Sequence, residues 1–432
     1  MSQDSVGRNW GQWDLLKLNS FSFGITGFLL AMDTIVLPII VLTMAPEGLK
    51  NTYLAILGIG GLVMAALIQP TIGRISDQTQ SPIGRRVPFI LWGSVFAAAG
   101  LIGIRLAPNF GVLFGVWIFI QANINIAYGP GLALIRDLVP LNRIGMASSM
   151  KIMSDAAGAA VMIAVTGALI GKTGSGIDWK GISLAILASL LILPIAITSI
   201  QVSRHEFSSA SNSQRQETKP SFKSVLNGQL GLFLVSRLIM ITAITSFQTY
   251  GVFFLRDSVG LDSPAETLGR MILVIAGALA IAVYISGWVS DRVGRKPMVM
   301  VGAIGAALSA LWMLTATDSV QVLIIASVIG ASVGVLLSAN WALANELADE
   351  SQAGLHIGII NLATIGGATA AKFLGPIIDA LNQIPGRSDA FGYQVLITAD
   401  AAFFLIGALL LMPLKTVGLA MIVRNSDQTK GS

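Results

Sequence analysis

The 432-residue sequence predicts an all-α integral membrane protein: 12 transmembrane helices in two six-helix bundles, with both termini cytoplasmic. Three observations carry that prediction. Hydrophobic residues make up 54 % of the chain and charged residues 11 %, with a mean hydropathy of +0.76, whereas a soluble domain carries roughly 25 % charge. Apolar runs of spanning length recur from end to end. A short loop rich in Gly, Asp and Arg interrupts them twice, at matching places.

The spans read 21–44, 53–73, 87–106, 110–135, 146–171 and 181–203, then 230–255, 267–289, 297–317, 320–345, 356–379 and 394–414. An even number places both termini on one side. Of the 27 Lys and Arg, seventeen fall in the termini and the loops on that side, seven on the other, and Lys151, Arg237 and Lys372 inside spans. Excess Lys and Arg marks the cytoplasmic face, so the termini lie there. The same bias accounts for the net charge of +5 without invoking nucleic acid. Residues 204–229, rich in Ser, Gln and charge, form a cytoplasmic linker between an N-terminal bundle at 1–203 and a C-terminal bundle and tail at 230–432. Trp10 and Trp13, just before the first span, read as interfacial anchors.

Other counts remove whole classes of chemistry. The chain has no cysteine, and its two histidines, His205 and His356, are far apart, which leaves no expected metal site, disulfide or cofactor. The N-terminus lacks the pattern of a removed signal peptide. The run Gly167 to Thr173 is one residue short of a phosphate-binding loop, with Thr166 at its required glycine and no strand before it. No acid–base pair or nucleophile motif stands out, so an enzyme is not expected. The GxxxG pairs Gly111/Gly115 and Gly330/Gly334 read as helix-packing faces.

The repeated loop is the most informative feature. After the second span come Gly73, Asp77, Gly84, Arg85 and Arg86; after the eighth come Gly287, Asp291, Arg292, Gly294, Arg295 and Lys296. An Asp there favours a helix N-terminus, while the basic residues hold the inside orientation. The second copy matches G-x-x-x-D-R-x-G-R-K throughout, and in this the sequence resembles the major facilitator superfamily. The resemblance implies two six-helix bundles around a central cavity, a solute bound near mid-membrane, and alternating access by rocking.

The first copy is longer, with six residues between Asp77 and Gly84, and ends Arg86-Val87-Pro88-Phe89. That form is similar to the glycoside:cation symporters, the sucrose-transporter-like branch. The stretch Tyr128 to Leu138 agrees, sharing Gly129, Pro130, Ala133, Leu134, Asp137 and Leu138 with a fourth-helix segment of plant sucrose carriers. Two positions depart. Leu132 stands where those carriers have Arg, and Gln121 where they have the membrane carboxylate that serves as proton site. Glutamine does not titrate, so coupling at that position is lost. A pigment-assembly branch with a similar loop is also compatible.

Charges inside the bilayer are expensive, so each is a functional candidate. Asp33 lies about twelve residues into the first span, shortly before Pro38, which loosens helix hydrogen bonding; it is the candidate for H⁺ or Na⁺ coupling. Lys151 and Asp155 share one helix face and can pair there, while Arg237 offers Asp155 an alternative partner that would make an inner gate. Lys372 is expected to face the cavity or a carboxylate; Asp379 and Asp400 read as structural. Gln121 and Asn125 share a face of the fourth span, near Asn123, and suit a hydroxylated solute. Gln248, Tyr250, Tyr284, Asn340, Trp341, Asn345 and Asn361 offer similar chemistry in the second half, and Glu346 reads as solvated loop.

The expected protein is a monomeric secondary transporter for a small, neutral polar solute such as a sugar or glycoside, in contact with lipid and open to H⁺ or Na⁺ coupling. Alternatives are an exporter of amphipathic compounds on the same fold and a non-transporting pigment-assembly factor.

Overall fold

A computed structural model of the chain describes residues 10–46, 48–140, 143–170, 178–206, 228–347 and 353–414. The expected linker lies outside them from 207 to 227, as do the Gly171-Lys172-Thr173 end of the near-miss loop and the tail from 415. Thirteen helical runs appear among the described residues, and eleven are long and apolar enough to cross a membrane.

The first run is α1 (Gln12–Ala31), a π-turn (Met32–Val36) and α2 (Leu37–Met44). Pro38 has no N–H to give, and the ladder shifts register just before it: the Leu37 amide donates to the Met32 carbonyl, five residues back. Asp33 sits in that widened turn. Then come α3 (Lys50–Gln78), α4 (Val87–Leu106), α5 (Phe110–Leu138), α6 (Ile144–Ile170) and α7 (Trp179–Glu206). The second half holds α8 (Gly228–Asp257), α9 (Pro264–Val293), α10 (Arg295–Met313), α11 (Ser319–Leu347), α12 (Ala353–Lys372), α13 (Leu374–Asn382) and α14 (Phe391–Leu410).

The span expected at 356–379 is therefore divided. Pro376 cannot donate to the Lys372 carbonyl four residues back, and the helix breaks at Phe373. The orphaned carbonyl accepts instead from the Tyr250 hydroxyl of α8 at 2.8 Å. A buried backbone group thus keeps a partner, as an apolar surrounding demands.

The chain forms two compact units, one of residues 1–45 and 56–214, the other of residues 46–55 and 215–432. In the first, α1 packs on α6 and α7, and α4 on α5 and α7; in the second, α8 packs on α12 and α14, and α10 on α11 and α14. The same pairing recurs, as the loop repeat suggests. Glycine permits the closest approaches: a Cβ on Gly27 of α1 would lie 2.5 Å from the Gly158 carbonyl oxygen of α6. Gly330 and Gly334 of α11 meet the Ile275 and Leu279 carbonyls of α9, so this GxxxG pair is a packing face. Gly111 and Gly115 are not: a Cβ on Gly115 would touch nothing within 4 Å, and one on Gly111 only the cap residue Asn109.

Residues 46–55 belong to the second unit because its side chains hold them. Asp379 of α13 accepts from the Thr52 amide and hydroxyl, both at 2.7 Å, and from Asn51 Nδ2 at 2.7 Å. A carboxylate there neutralises donors that a helix N-terminus leaves unpaired. Lys50 pairs with Asp257 and lies over the Phe253 and Tyr393 rings, and Asn51 also donates to the Tyr393 hydroxyl. Asp379 is thus the cap of α3, supplied from far along the chain. Replacing Asp379 by Ala is expected to cost about 1–2 kcal/mol and to speed hydrogen exchange at the Asn51 and Thr52 amides. Unchanged melting and exchange would refute the cap.

Candidate functional site

The loop residues build two different clamps. In the first unit, Arg86 caps the start of α4 and lies among the ends of α3 and α5. Its guanidinium donates to Asp137 at 2.6 Å, to Asp77 at 2.7 Å and to Ser76 at 2.8 Å, while Arg85 also reaches Asp137. Burial alone would lower the Arg86 guanidinium, but the hydrogen bonds and charges of Asp137 and Asp77 outweigh it and hold it above the ordinary arginine value. Gly84, at φ +108°, makes the turn that returns the chain to this point. Gly73 lies within α3 with open space where a side chain would be.

In the second unit the basic residues seek backbone carbonyls. Arg295 donates to the Ala342 carbonyl of α11 at 3.1 Å, and Lys296 to the Met412 and Leu414 carbonyls just past α14 at 2.6 and 2.9 Å. Cations at helix C-termini meet the negative end of the dipole. Arg292 lies over the Trp288 ring, Gly287 meets nothing, and Gly294 turns at φ +99°. The Asp291, Asn345, Glu346 and Asn361 side chains lie outside the described residues.

Inside the first unit, two polar groups occupy neighbouring positions. Asn125 of α5 donates to the Gln121 carbonyl at 2.7 Å and to its Oε1 at 3.3 Å, and accepts from Gln69 of α3 at 2.7 Å. Gln121 packs against Gly61, whose missing side chain leaves its amide room. Asn123 turns back to the Phe119 carbonyl. One turn on from Asn125, Tyr128 lies beneath Lys151 of α6, whose ammonium is 5.9 Å from the ring centroid. Lys151 bonds Asp155 at 2.7 Å, and Asp155 accepts from Thr26 of α1 at 2.6 Å. Asp33, in the π-turn of the same run as Thr26, is half-buried.

In the second unit Arg237 of α8 is 3 % exposed. Its Nε donates to Thr364 of α12 at 3.0 Å, its Nη1 to Asn340 of α11, and its guanidinium lies 4.5 Å from the Trp341 ring centroid. Arg237 thus has partners within the second unit, as Asp155 has within the first. Gln248 lies on the same face of α8 as Arg237, three turns on and half-buried. Tyr284 is 85 % exposed and sits opposite the α9 face that meets α11. The Tyr250 hydroxyl donates to the carbonyl at the helix break, and Lys372 is buried at the end of α12. Asp400 accepts from Ser246 at 2.7 Å, within the second unit. Among the described residues no His, Cys, Asp and Glu cluster suits a metal.

Sequence reasoning missed Gln69, Tyr128, Thr26 and Thr364. Gln69 adjoins Pro70 near a span end and reads as loop chemistry, and Thr is too common in helices to signal a role. Only Tyr128 had a legible mark, since it follows Gln121 and Asn125 on one helical face.

Comparison with known proteins fits this geometry. The family profile described as Major Facilitator Superfamily matches residues 23–371 and 266–420. The sequence is 22 % identical to sucrose transport protein SUT5 of Oryza sativa over 431 aligned residues, covering 80 % of this chain and 78 % of that one. It is 33 % identical to the arabinose-proton symporter of Bacillus subtilis over a shorter stretch, 28 % of this chain and 26 % of the relative. In fold it is similar to a bacterial homolog of the human lysosomal transporter Spinster, in an inward-facing, unoccupied conformation: TM-score 0.70 at 16 % identity, over 94 % of this chain and 97 % of that one.

The Arg86 clamp makes a direct prediction. Arg86→Gln removes the one cation that joins Asp77 to Asp137, leaving Arg85 on Asp137, and is expected to destabilise the protein by about 2 kcal/mol. Arg86→Lys keeps the charge but not the planar fork and should recover only part of the loss. Equal melting temperatures for all three proteins would remove the clamp from the account.

Proposed function

This chain belongs to the major facilitator superfamily, and on that footing we propose that it carries a small hydroxylated solute of the sugar or glycoside kind across the membrane by alternating access. The family's proteins are multi-pass membrane transporters rather than enzymes. The observation that carries the solute class is the amide group of Gln69, Gln121 and Asn125, three uncharged side chains held together between two apolar helices. Amides both donate and accept, which suits hydroxyls. Similarity to SUT5 and to the arabinose-proton symporter supports the same class.

Asp33 is our candidate for coupling to H⁺ or Na⁺. The sequence replaces the usual carboxylate by Gln121, and the π-turn at Met32–Val36 supports a role for Asp33 because such turns gather at functional sites. Uptake of glycosides into proteoliposomes is expected to rise several-fold under an inward gradient of H⁺ or of Na⁺. Asp33→Asn should abolish that accumulation while sparing exchange. Indifference to both gradients would leave a facilitator, and unchanged accumulation would take Asp33 out of the mechanism.

Both termini and the linker at 204–229 lie in the cytoplasm in this reading, as the basic residues require. Because the chain has no cysteine, Ser208→Cys introduces a unique thiol. An impermeant maleimide is expected to label it in inside-out vesicles and not in intact cells; the reverse pattern would invert the topology.

A further inference from the structure

The second unit carries a groove of about 620 Å³ that involves none of the polar residues placed above. Leu314, at the end of α10, forms one wall, and a stripe of α14 from Phe391 to Ala402 forms the other. The stripe recurs every three or four residues, turned away from the face on which Tyr393, Ile397 and Asp400 are buried. Its one hydroxyl, on Thr398, donates to the Gln394 carbonyl at 2.8 Å, so the wall stays apolar.

Both helices are long and apolar enough to span, so the groove lies at membrane depth. α10 starts at the Arg295-Lys296 loop and ends beside the groove; α14 runs the other way and finishes near Lys296, which meets the Leu414 carbonyl. The groove therefore belongs to the leaflet opposite that loop. From Phe391 to Ala402 is about 16 Å of helix at about 1.5 Å per residue, half of a hydrocarbon core of about 30 Å. That is the reach of one acyl chain in one leaflet.

The rim of the groove is charged. Arg387, in the turn between α13 and α14, lies with its guanidinium carbon 4.9 Å from the Phe391 ring centroid, so a cation stands over the first residue of the wall. Asp389 follows two residues on, and both are exposed. Neither forms an ion pair among the described residues. Asp318, just past Leu314, is already a cap: its Oδ1 accepts from the Val320 and Gln321 amides of α11. A cation and a carboxylate at the mouth of an apolar slot answer a zwitterion: a phosphate suits the planar fork, and a primary ammonium suits the carboxylate. Gln394, exposed in the first turn of α14, can donate to an ester carbonyl at that depth.

We propose that this groove binds a diacyl phospholipid with a primary-amine headgroup, phosphatidylethanolamine. One acyl chain lies between α10 and α14, the phosphate meets Arg387 and the ammonium meets Asp389. The assignment does not depend on which solute is carried.

The full chain in detergent is titrated with dioleoyl phosphatidylethanolamine, with the matching choline and glycerol lipids, and with glycerophosphoethanolamine, the headgroup without chains. Retained lipid is counted by native mass spectrometry and the melting temperature is followed. The ethanolamine lipid is expected to stay bound at one copy per chain and to raise the melting temperature. The choline and glycerol lipids should bind at least about tenfold more weakly, since each lacks the ammonium hydrogen bond to the carboxylate. The free headgroup should give no shift. Arg387→Gln should weaken all three lipids, Asp389→Asn should erase the preference for ethanolamine, and Thr398→Trp should fill the slot and abolish retention. These side chains are exposed, so the variants should melt as the wild type does without lipid. Equal retention of the three lipids by the wild type would overturn the proposal, as would an ethanolamine preference that survives Asp389→Asn or retention unchanged by Thr398→Trp. A dimer in detergent that Thr398→Trp dissociates would also overturn it, because the groove would then hold a second copy of the chain.

Discussion

In an apolar surrounding, a backbone carbonyl or amide without a partner costs several kcal/mol. That constraint organises this structure. Where the chain runs as plain α-helix the ladder satisfies it. Where proline interrupts the ladder, something else must, and the two places where this shows most clearly are also the most distinctive. Before Pro38 the helix widens to a π-turn and carries Asp33. Before Pro376 the helix breaks, and the Tyr250 hydroxyl takes the Lys372 carbonyl. The same rule places Asp379 at the start of α3, where unpaired amides would otherwise remain.

Charges follow a parallel logic. A cation that the fold draws inward needs compensation, and for six of them the structure shows three routes. Carboxylates answer Lys50, Lys151 and Arg86. Helix-terminal carbonyls answer Arg295 and Lys296. Neutral acceptors and an indole answer Arg237. The first two routes are self-sufficient. The third rests on neutral groups among the described residues.

Much of the architecture could be read in the sequence, because membrane spans announce themselves by composition over about twenty residues. The repeated loops, from Gly73 and Gly287 onward, carried the family. The Lys151–Asp155 contact was legible too, since i,i+4 neighbours on a helix need no knowledge of the fold. What was not legible depends on which faces meet. Gln121 and Asn125 share a face in any helix, but only the packing of α3 on α5 adds Gln69. Asp379 reads as an isolated charge until α3 is set beside α13. Tyr284 is exposed on the face of α9 away from α11, and no single-helix pattern tells a polar residue that faces its neighbours from one that faces away.

The repeat explains why the family was easier to recognise than the solute. Both units use the same helix pairing, α1 with α6 and α7 answering α8 with α12 and α14, and both turn their loops on a positive-φ glycine. Those features are demanded by folding in a membrane, so they persist whatever is carried. The polar inventories, by contrast, are unlike: amides and a Lys–Asp pair in one unit, an arginine bonded to a threonine and an asparagine in the other. The shared helix pairing therefore marks the scaffold, and the unlike polar groups are what distinguish one unit from the other.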